Sequence, residues 1–363
     1  MMKILFLTTH HLWYDTRLYD KLTHSLLKKD ISIHLLTGHP FSDTSITLKN
    51  NFTYEIVHTK FKRIGLILSL FFRGLKIKPD IVICIEPLTM IAGLLLKMRQ
   101  NCRVIYDAHE YYAEAFSERH KGFYRSYLFF EKFLASKMDA VLAVNEILLK
   151  LFAPHSFLCA NYPNRESFSQ DMSPEKEYDV IYAGCLWFER GLKIYLETAN
   201  YFKQNQKSFK LLLIGSFKNK TTKEYYYSYV LQNGLEDYIV YKPYMPNAEV
   251  LQEMKSARIG VFFGDTNSSP RYDKSISMKI LEYLSQKMPI VVNKLGMLGD
   301  FVALSQGGWI IDYDSHTLFL LLSEILQNEA LLLEKATKGY DYVSQNAVWE
   351  NQEETLYKAV FGE

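Results

Sequence analysis

The chain has 363 residues, 48% hydrophobic and 23% charged, a balance that supports two cores and excludes a disordered or fibrous chain. Its formal charge of +2 hides an uneven division: residues 1–160 hold 21 Lys and Arg against 14 Asp and Glu, and the rest 21 against 26. The basic half suits an anionic partner such as a membrane surface or a phosphorylated acceptor, or is ordinary solvated charge, and nothing in it has the pattern of a nucleic-acid reader.

In chain order, short apolar runs alternate with helical patterns. KILFLTT precedes a helix from about Asp15 to Lys29, SIHLLTG a basic apolar helix near 62–76, and DIVICIE a helix near 88–99; CRVIYDA then leads to an aromatic helical stretch over about 121–138 and the strand AVLAVN. Strands apolar on both faces, alternating with helices, predict a parallel sheet covered by helices. After SFLCANYPN the polar segment RESFSQDMSPEKE (165–177) has no apolar periodicity and contains a Ser-Pro break, so we assign it as a linker. The alternation restarts with YDVIYAG, a helix near 192–204, FKLLLIG, a helix near 221–233, YIVYKPY, a helix from Asn247, RIGVFFG, a helix near 278–286 and PIVVN. The expected class is α/β, with two Rossmann-like doubly wound parallel-sheet domains facing a central cleft and ligands beyond the carboxyl ends of the strands.

Cys84, Cys102, Cys159 and Cys185 lack CxxC spacing and read as thiols in a reducing cytoplasm. The opening MMKILFLTTHHLW lacks a secretory signature, and IGLILSLFF (64–72) is about half of what a bilayer span needs.

The residues that carry chemistry fall after strands or at helix starts. Asp15 is a good N-cap for the helix bearing Leu18, Leu22 and Leu26. Arg17 lies in its first turn, where the helix dipole disfavours a cation unless an anion is near; it pairs with Asp15 or Asp20, or it contacts an acceptor or phosphate. In RVIYDAHEYYAE, His109 follows an apolar strand, and its imidazole either contacts a sugar hydroxyl or developing charge, or is satisfied by Asp107 and Glu110. Arg190 and Gly191 stand at a helix entrance, an arrangement suited to a diphosphate, or they are a surface Arg beside a loop glycine. In SPRYDKSISMKILEYL a Ser-rich loop leads to a helix start near Ser277, with Lys279 in the first turn and Glu282 three residues on. A carboxylate there can accept two hydrogen bonds from a vicinal diol such as ribose, or it is a solvated helix residue. The DYD at 312–314 looks like a metal-binding DxD but sits in the turn after GWII and reads as structural. There is no GxGxxG, no zinc spacing and no GxSxG, which removes support for dinucleotide oxidoreductases, zinc enzymes and elbow hydrolases.

YDAHEYYAE, YAGCLWFERGL, SISMKILEYLSQKMPIVV and a terminal VWENQEETLYKAV, in that order, resemble glycosyltransferase family 4, retaining enzymes of the GT-B fold. The resemblance implies an acceptor-side domain over 1–166, a nucleotide-sugar donor domain over 167–345, and a C-terminal helix within 346–363 that returns to the first. By position His109 corresponds to the family's cleft histidine, Arg190 to the basic residue on the donor diphosphate, and Glu282 to the second glutamate of Glu-x7-Glu. YDTRLYDKL resembles a branch with Asp-x-Arg in place of the glycine-rich loop. The first glutamate of Glu-x7-Glu falls on Lys274, beside Asp273, and the arginine after the family's glycine is Cys185.

These features together point to a retaining glycosyltransferase moving a sugar from a UDP- or GDP-sugar to an acceptor hydroxyl in bacterial surface polysaccharide or glycoconjugate synthesis, without cofactor or metal. The expected donor-binding set is Arg190, Gly191, Lys274, Ser277, Lys279 and Glu282, the acceptor side Asp15, Arg17 and Glu110, with His109 and Glu282 catalytic. The acceptor is a glycan or lipid-linked sugar; FKRIGLILSLFFRGLKIK is either a helix on an anionic inner-membrane surface or a core helix. The rival functions are a nucleotide-sugar epimerase or phosphorylase of the same fold, and a nucleotide-sugar-binding subunit without catalysis.

Overall fold

The computed structural model describes residues 1–38, 46–47, 51–57, 63–113, 121–169, 176–268 and 270–362. Residue 62 of the basic helix and residues 170–175 of the polar segment lie outside that set. The chain forms two compact units: unit 1 is Met1–Asn161 with Trp349–Glu363, and unit 2 is Tyr162–Val348.

Unit 1 holds strands β1 (Met2–Thr8), β2 (Ile31–Thr37), β3 (Ile46–Thr47), β4 (Phe52–Ile56), β5 (Ile81–Cys84), β6 (Arg103–Ala108), β7 (Ala140–Ala143) and β8 (Ser156–Leu158). They form one sheet in the order β3-β4-β2-β1-β5-β6-β7-β8, parallel except for the two-residue β3, which runs antiparallel to β4. Side chains alternate across the sheet. Ile4 and Phe6 enter one core with Leu18, Leu22 and Leu26, whereas Leu5 and Leu7 enter the other with residues of α2 (Arg63–Ile77), α3 (Thr89–Gln100) and α4 (Lys121–Ala135). Burial on both faces explains the unbroken apolar runs IVIC and AVLA.

The helix after β1 is capped by Asp15, which accepts from the amides of Arg17 and Leu18. Its first eight residues, Thr16–Thr23, are wound as a π-helix before four α-helical residues, His24–Leu27, a geometry concentrated at functional sites.

Unit 2 holds β9 (Tyr178–Ala183), β10 (Leu211–Ile214), β11 (Ile239–Lys242), β12 (Ala257–Phe262), β13 (Ile290–Asn293) and β14 (Gly308–Ile311). The sheet is parallel throughout, in the order β11-β10-β9-β12-β13-β14. In unit 1 the strand order reverses between β1 and β5, in unit 2 between β9 and β12, and a doubly wound sheet binds ligands at such a reversal. Phe168 is buried in the unit 2 core, Ser169 donates its amide to Ser285 O at 2.9 Å, and Gln286 Nε2 donates to Ser167 O at 2.7 Å. These contacts place the start of the polar segment inside unit 2, and the division between units precedes it.

The last helix, Glu353–Phe361, belongs to unit 1. Trp349, Leu356, Ala359 and Val360 join the core that contains Ile4 and Phe6. The Trp349 indole N–H donates to Ser25 Oγ at 2.8 Å, and Arg103 Nη2 donates to Ala359 O at 3.0 Å.

Candidate active site

At the reversal point of unit 1, β1 and β5 are joined by a carboxyl group. Glu86, two residues past β5 and almost fully buried, accepts from Thr8 Oγ1–H at 2.5 Å and from the Thr9 amide at 2.9 Å. Burial pushes its pKa up to about 7, against those hydrogen bonds and the charge of His11. His11 Nδ1 meets Asp15 Oδ2 at 3.0 Å, and its Nε2 lies 3.7 Å from Glu86 Oε1. Burial works against the charged His11 ring, but the hydrogen bond to Asp15 and the nearby carboxylates of Glu86, Asp15 and Glu110 outweigh it and raise the pKa. Burial likewise opposes the Asp15 carboxylate, and the His11 partner still brings it down to about 2. The helix cap is therefore also half of an ion pair.

His109 follows β6, and its ring stands edge-on to that of His11 with centroids 5.1 Å apart. Its Nδ1 faces the Asp107 carbonyl at 3.2 Å and Asp107 Oδ2 at 3.6 Å, and its Nε2 lies 3.1 Å from Tyr112 Oη. Burial lowers the His109 pKa, in spite of the Asp107 carboxylate, and raises that of Tyr112 well beyond the usual phenol range. One arrangement satisfies all three partners: a neutral imidazole donating from Nδ1 to Asp107 and accepting at Nε2 from Tyr112. The ring is thus oriented by Asp107 and Tyr112, whereas Glu110 is exposed and acts on it only through its charge.

Arg17 does not pair within its own helix. It donates from Nε to Asp107 Oδ2 at 2.9 Å, from Nη2 to Asp107 Oδ1 at 2.6 Å and from Nη2 to Cys159 O at 3.2 Å. Both partners are buried, 5% and 1% exposed, so Arg17 sits beneath the site as the counterion of Asp107. This corrects the expected local pairing with Asp15 or Asp20: the anion that its place in the first turn requires comes from a strand ninety residues on, and the buried Nη1 of Arg17 is left without a hydrogen-bond partner.

Sequence reasoning passed over Glu86, Thr8 and the pair His10–His11. The signal was available: DIVICIE ends in a carboxylate just as RVIYD does, and HH follows the strand at the reversal point. Among the described residues, the donor atoms of His10, His11 and Glu86 all lie within 4.8 Å of one another, a spacing that could hold a metal ion.

In unit 2, β9 ends at Ala183 and the turn Phe188–Arg190 leads through Gly191 into α6 (Leu192–Gln204), the helix after β9. Gly191 has φ +78°, and a Cβ there would lie 2.7 Å from Phe263 Cβ and 2.8 Å from Tyr195 Cζ. Arg190 interacts with the phenol groups of Tyr182 and Tyr272, and its buried Nε has no hydrogen-bond partner. Two buried tyrosines and one backbone–backbone bond draw the surrounding loops together. The Ala183 amide donates to Tyr283 Oη at 2.8 Å, the Phe263 amide to Tyr195 Oη at 3.0 Å, and the Asp265 amide to Glu189 O at 2.9 Å.

The helix Met278–Ser285 follows the N-cap residue Ser277. Lys279 Nζ donates to Glu282 Oε2 at 3.0 Å, and Glu282 is buried, so it is no solvated helix residue. Lys274 is half-buried in the segment leading to that helix. Its neighbour Asp273 accepts from the Gly296 amide at 2.9 Å, which commits Asp273 to holding the start of the next helix. Asp314 of DYD caps a helix by accepting from the Thr317 amide at 2.6 Å, the structural role expected of it.

Residues 163–343 match the model of the family described as Glycosyl transferases group 1. No curated protein matches the chain in sequence. Among solved structures, the sucrose-phosphate synthase of Thermosynechococcus elongatus is similar at a TM-score of 0.79 and 15% identity, with all of both chains covered. Anabaena Alr3699/HepE in complex with UDP-glucose is similar at a TM-score of 0.76 and 13% identity, again over all of both chains. WaaG, a glycosyltransferase involved in lipopolysaccharide biosynthesis, is similar at 0.71 and 10%, covering 99% of this chain and 100% of that one. Through the family match in its second unit the chain belongs to the glycosyl transferases group 1, and it is a glycosyltransferase built on the GT-B fold.

Proposed function

We propose that the enzyme is a retaining glycosyltransferase that moves a sugar from a UDP- or GDP-sugar to the hydroxyl of a glycan or lipid-linked acceptor, in the synthesis of a bacterial surface polysaccharide or glycoconjugate. It would work in the cytoplasm, peripheral to the inner face of the membrane; among the described residues no helix is long and apolar enough to cross one. The observation that carries this reading is Arg190: a half-buried arginine whose buried Nε is unsatisfied, at the glycine-stepped entrance of α6, beside the strand-order reversal of unit 2. An unpaired buried donor there suits an anion such as a diphosphate.

In this mechanism Arg190, Lys279 and the amides at the starts of α6 and of the Met278 helix, with Ser277 at its cap, stabilise the charge that grows on the leaving diphosphate. These groups supply the positive charge that a divalent cation supplies elsewhere, so we propose turnover without a metal. Glu282 accepts from the ribose hydroxyls, and Gly191 lets the backbone approach the phosphates. Lys274 stands where the family carries a sugar-contacting glutamate, and with Cys185 it is what favours the second reading, a binding subunit without catalysis. In unit 1 His109 acts on the transferred sugar as a neutral hydrogen-bonding group, with Asp15 and Glu110 on the acceptor side. The leaving phosphate helps deprotonate the acceptor on the same face, since no carboxylate is assigned as a nucleophile. HepE has been captured with UDP-glucose and WaaG works in lipopolysaccharide synthesis, which supports the donor and product classes proposed.

The test is thermal stabilisation by UDP, GDP and their sugar conjugates, with Arg190→Ala and Glu282→Ala alongside. A ligand at 100 times its Kd adds about 2.7 kcal/mol. Stabilisation by one nucleotide class, lost in both variants, is expected. No response to any nucleotide would refute the donor assignment, and binding without turnover in any donor and acceptor mixture would favour the binding subunit.

A further inference from the structure

Two adjacent histidines after β1 share one carboxylate with the end of β5. The chain past Thr8 curls back on itself, because the amides of His10 and His11 both donate to Thr8 Oγ1, at 3.3 and 3.0 Å. That turn, with the pairing of β1 and β5, brings both imidazoles to Glu86. His10 Nδ1 lies 3.4 Å from Glu86 Oε1, and His11 Nε2 lies 3.7 Å from the same oxygen. The donor atoms of the two imidazoles are within 4.8 Å of each other. Atoms bound to a tetrahedral zinc ion at about 2.0–2.1 Å stand about 3.4 Å apart. The first separation already fits, the second must close by about 0.3 Å, and rotation of the exposed His10 ring closes the third.

The groups behind these three side chains hold them for coordination. His11 Nδ1 faces Asp15 Oδ2 at 3.0 Å, so the ring donates there and presents the Nε2 lone pair toward Glu86. A carboxylate behind the imidazole is the common outer partner of a metal-bound histidine, where it fixes the tautomer and raises basicity. Glu86 accepts from Thr8 Oγ1–H on Oε1 and from the Thr9 amide on Oε2, and a carboxylate has lone pairs to spare beyond those two bonds. Asp15 and Glu110 add negative charge beside His11. His109 is outside the set, since its Nε2 meets Tyr112 and its Nδ1 meets Asp107.

We propose that His10 Nδ1, His11 Nε2 and Glu86 Oε1 bind a zinc ion, with Asp15 as the outer partner of His11. Two imidazoles and one carboxylate form a mixed nitrogen and oxygen set, which suits zinc and disfavours magnesium and calcium, whose sites are built of oxygen. Three protein ligands leave the fourth position to water or a hydroxyl group on the exposed His10 side. The bound ion ties the loop after β1 to the end of β5. The inference goes beyond the proposed function and needs unit 1 alone. Turnover without a metal, as proposed above, concerns the diphosphate, which residues of unit 2 receive.

The experiment is isothermal titration calorimetry of the full chain, stripped with a chelator, against zinc chloride, with magnesium chloride and calcium chloride in parallel. A single zinc ion per chain is expected, with magnesium and calcium at least about a hundredfold weaker. His10→Ala, at a side chain 58% exposed, leaves the core intact and should weaken zinc binding by more than about tenfold, as should Glu86→Gln. Asp15→Asn should weaken it by roughly 10–100-fold. Cobalt chloride in place of zinc should give a visible d–d spectrum without a thiolate charge-transfer band. No zinc binding, wild-type affinity in either His10→Ala or Glu86→Gln, or a thiolate band that moves the metal to a cysteine overturns the proposal.

Discussion

The buried pair Arg17–Asp107 gives the sharpest test of how unit 1 is held. Arg17→Met removes a guanidinium that makes two short contacts to one carboxylate, 2.6 and 2.9 Å, and leaves Asp107 almost wholly buried without its counterion. An uncompensated buried charge of this kind costs about 3–5 kcal/mol. Unit 1 comprises Met1–Asn161 and Trp349–Glu363, a size for which 1 kcal/mol moves Tm by roughly 2–4 °C, so the variant should melt roughly 6–20 °C lower. Asp107→Leu alone strands the cation instead and should be comparably damaging. The double variant removes both charges, and two apolar residues of similar volume are near neutral in such a place. We therefore expect it to regain most of the loss, with a coupling energy above about 2 kcal/mol in the double-mutant cycle. Scanning calorimetry on the full chain measures all four proteins. An Arg17→Met loss below about 1 kcal/mol, or losses that simply add in the double variant, would refute the claim that these two groups satisfy one another.

Three further outcomes are expected. Glu86 has its pKa raised from 4.5 to about 7 by burial, so its contribution to stability is complete below pH 4.5 and is lost as pH rises through 7; Glu86→Gln should gain on wild type by on the order of 3 kcal/mol between pH 5 and pH 8, and parallel Tm profiles would contradict this. Gly191→Ala places a side chain at φ +78° against Phe263 and Tyr195, which should destabilise by about 2 kcal/mol or more and abolish the nucleotide response; an unchanged denaturation midpoint would show that the turn can give. Lys279→Met leaves the buried Glu282 without its 3.0 Å partner and should weaken nucleotide binding by more than tenfold, whereas Glu282→Gln, which keeps a hydrogen-bonding group, should weaken it less than Glu282→Ala in the same titration.

What was legible in the sequence follows from how local each signal is. The helix from 192 to 204 and the strand YDVIYA appear where periodicity puts them, because one stretch of chain carries the whole pattern. Asp15 as an N-cap is equally local. The strand FTYEI was not assigned; its alternation of buried and half-buried residues is that of a strand beyond the centre of its sheet, and five residues of alternation are a faint signal. The partner of Arg17 was illegible, since composition says that a buried cation needs an anion and only the strand order says that β6 brings it. Tyr112 as the partner of His109 is three residues away, yet it depends on how the loop turns after β6. Glu86 was missed because a carboxylate at the end of a strand gains meaning only when that strand proves to lie next to β1.

The two reversal points answer the same problem in opposite ways. Parallel strands end with their polar groups aimed at one edge, and the crossover leaves that edge open where the order changes direction. Unit 1 fills its opening from within: Glu86 is held by Thr8 and Thr9, His11 by Asp15, His109 by Asp107 and Tyr112, and Asp107 by Arg17. A ligand entering there must exchange hydrogen bonds already made, which favours hydroxyl groups that can both donate and accept, as those of sugars do. Each opening keeps one buried guanidinium nitrogen without a partner, Nη1 of Arg17 in unit 1 and Nε of Arg190 in unit 2, the latter beside a helix entrance. Filling the latter removes a standing desolvation penalty, so an anion gains more there than it would at an exposed arginine. The charge of Arg17 is already neutralised by the buried Asp107, whereas Arg190 lies against the phenols of Tyr182 and Tyr272, and this contrast supports the proposal that the anionic donor is held by unit 2 and the hydroxyl-bearing acceptor by unit 1.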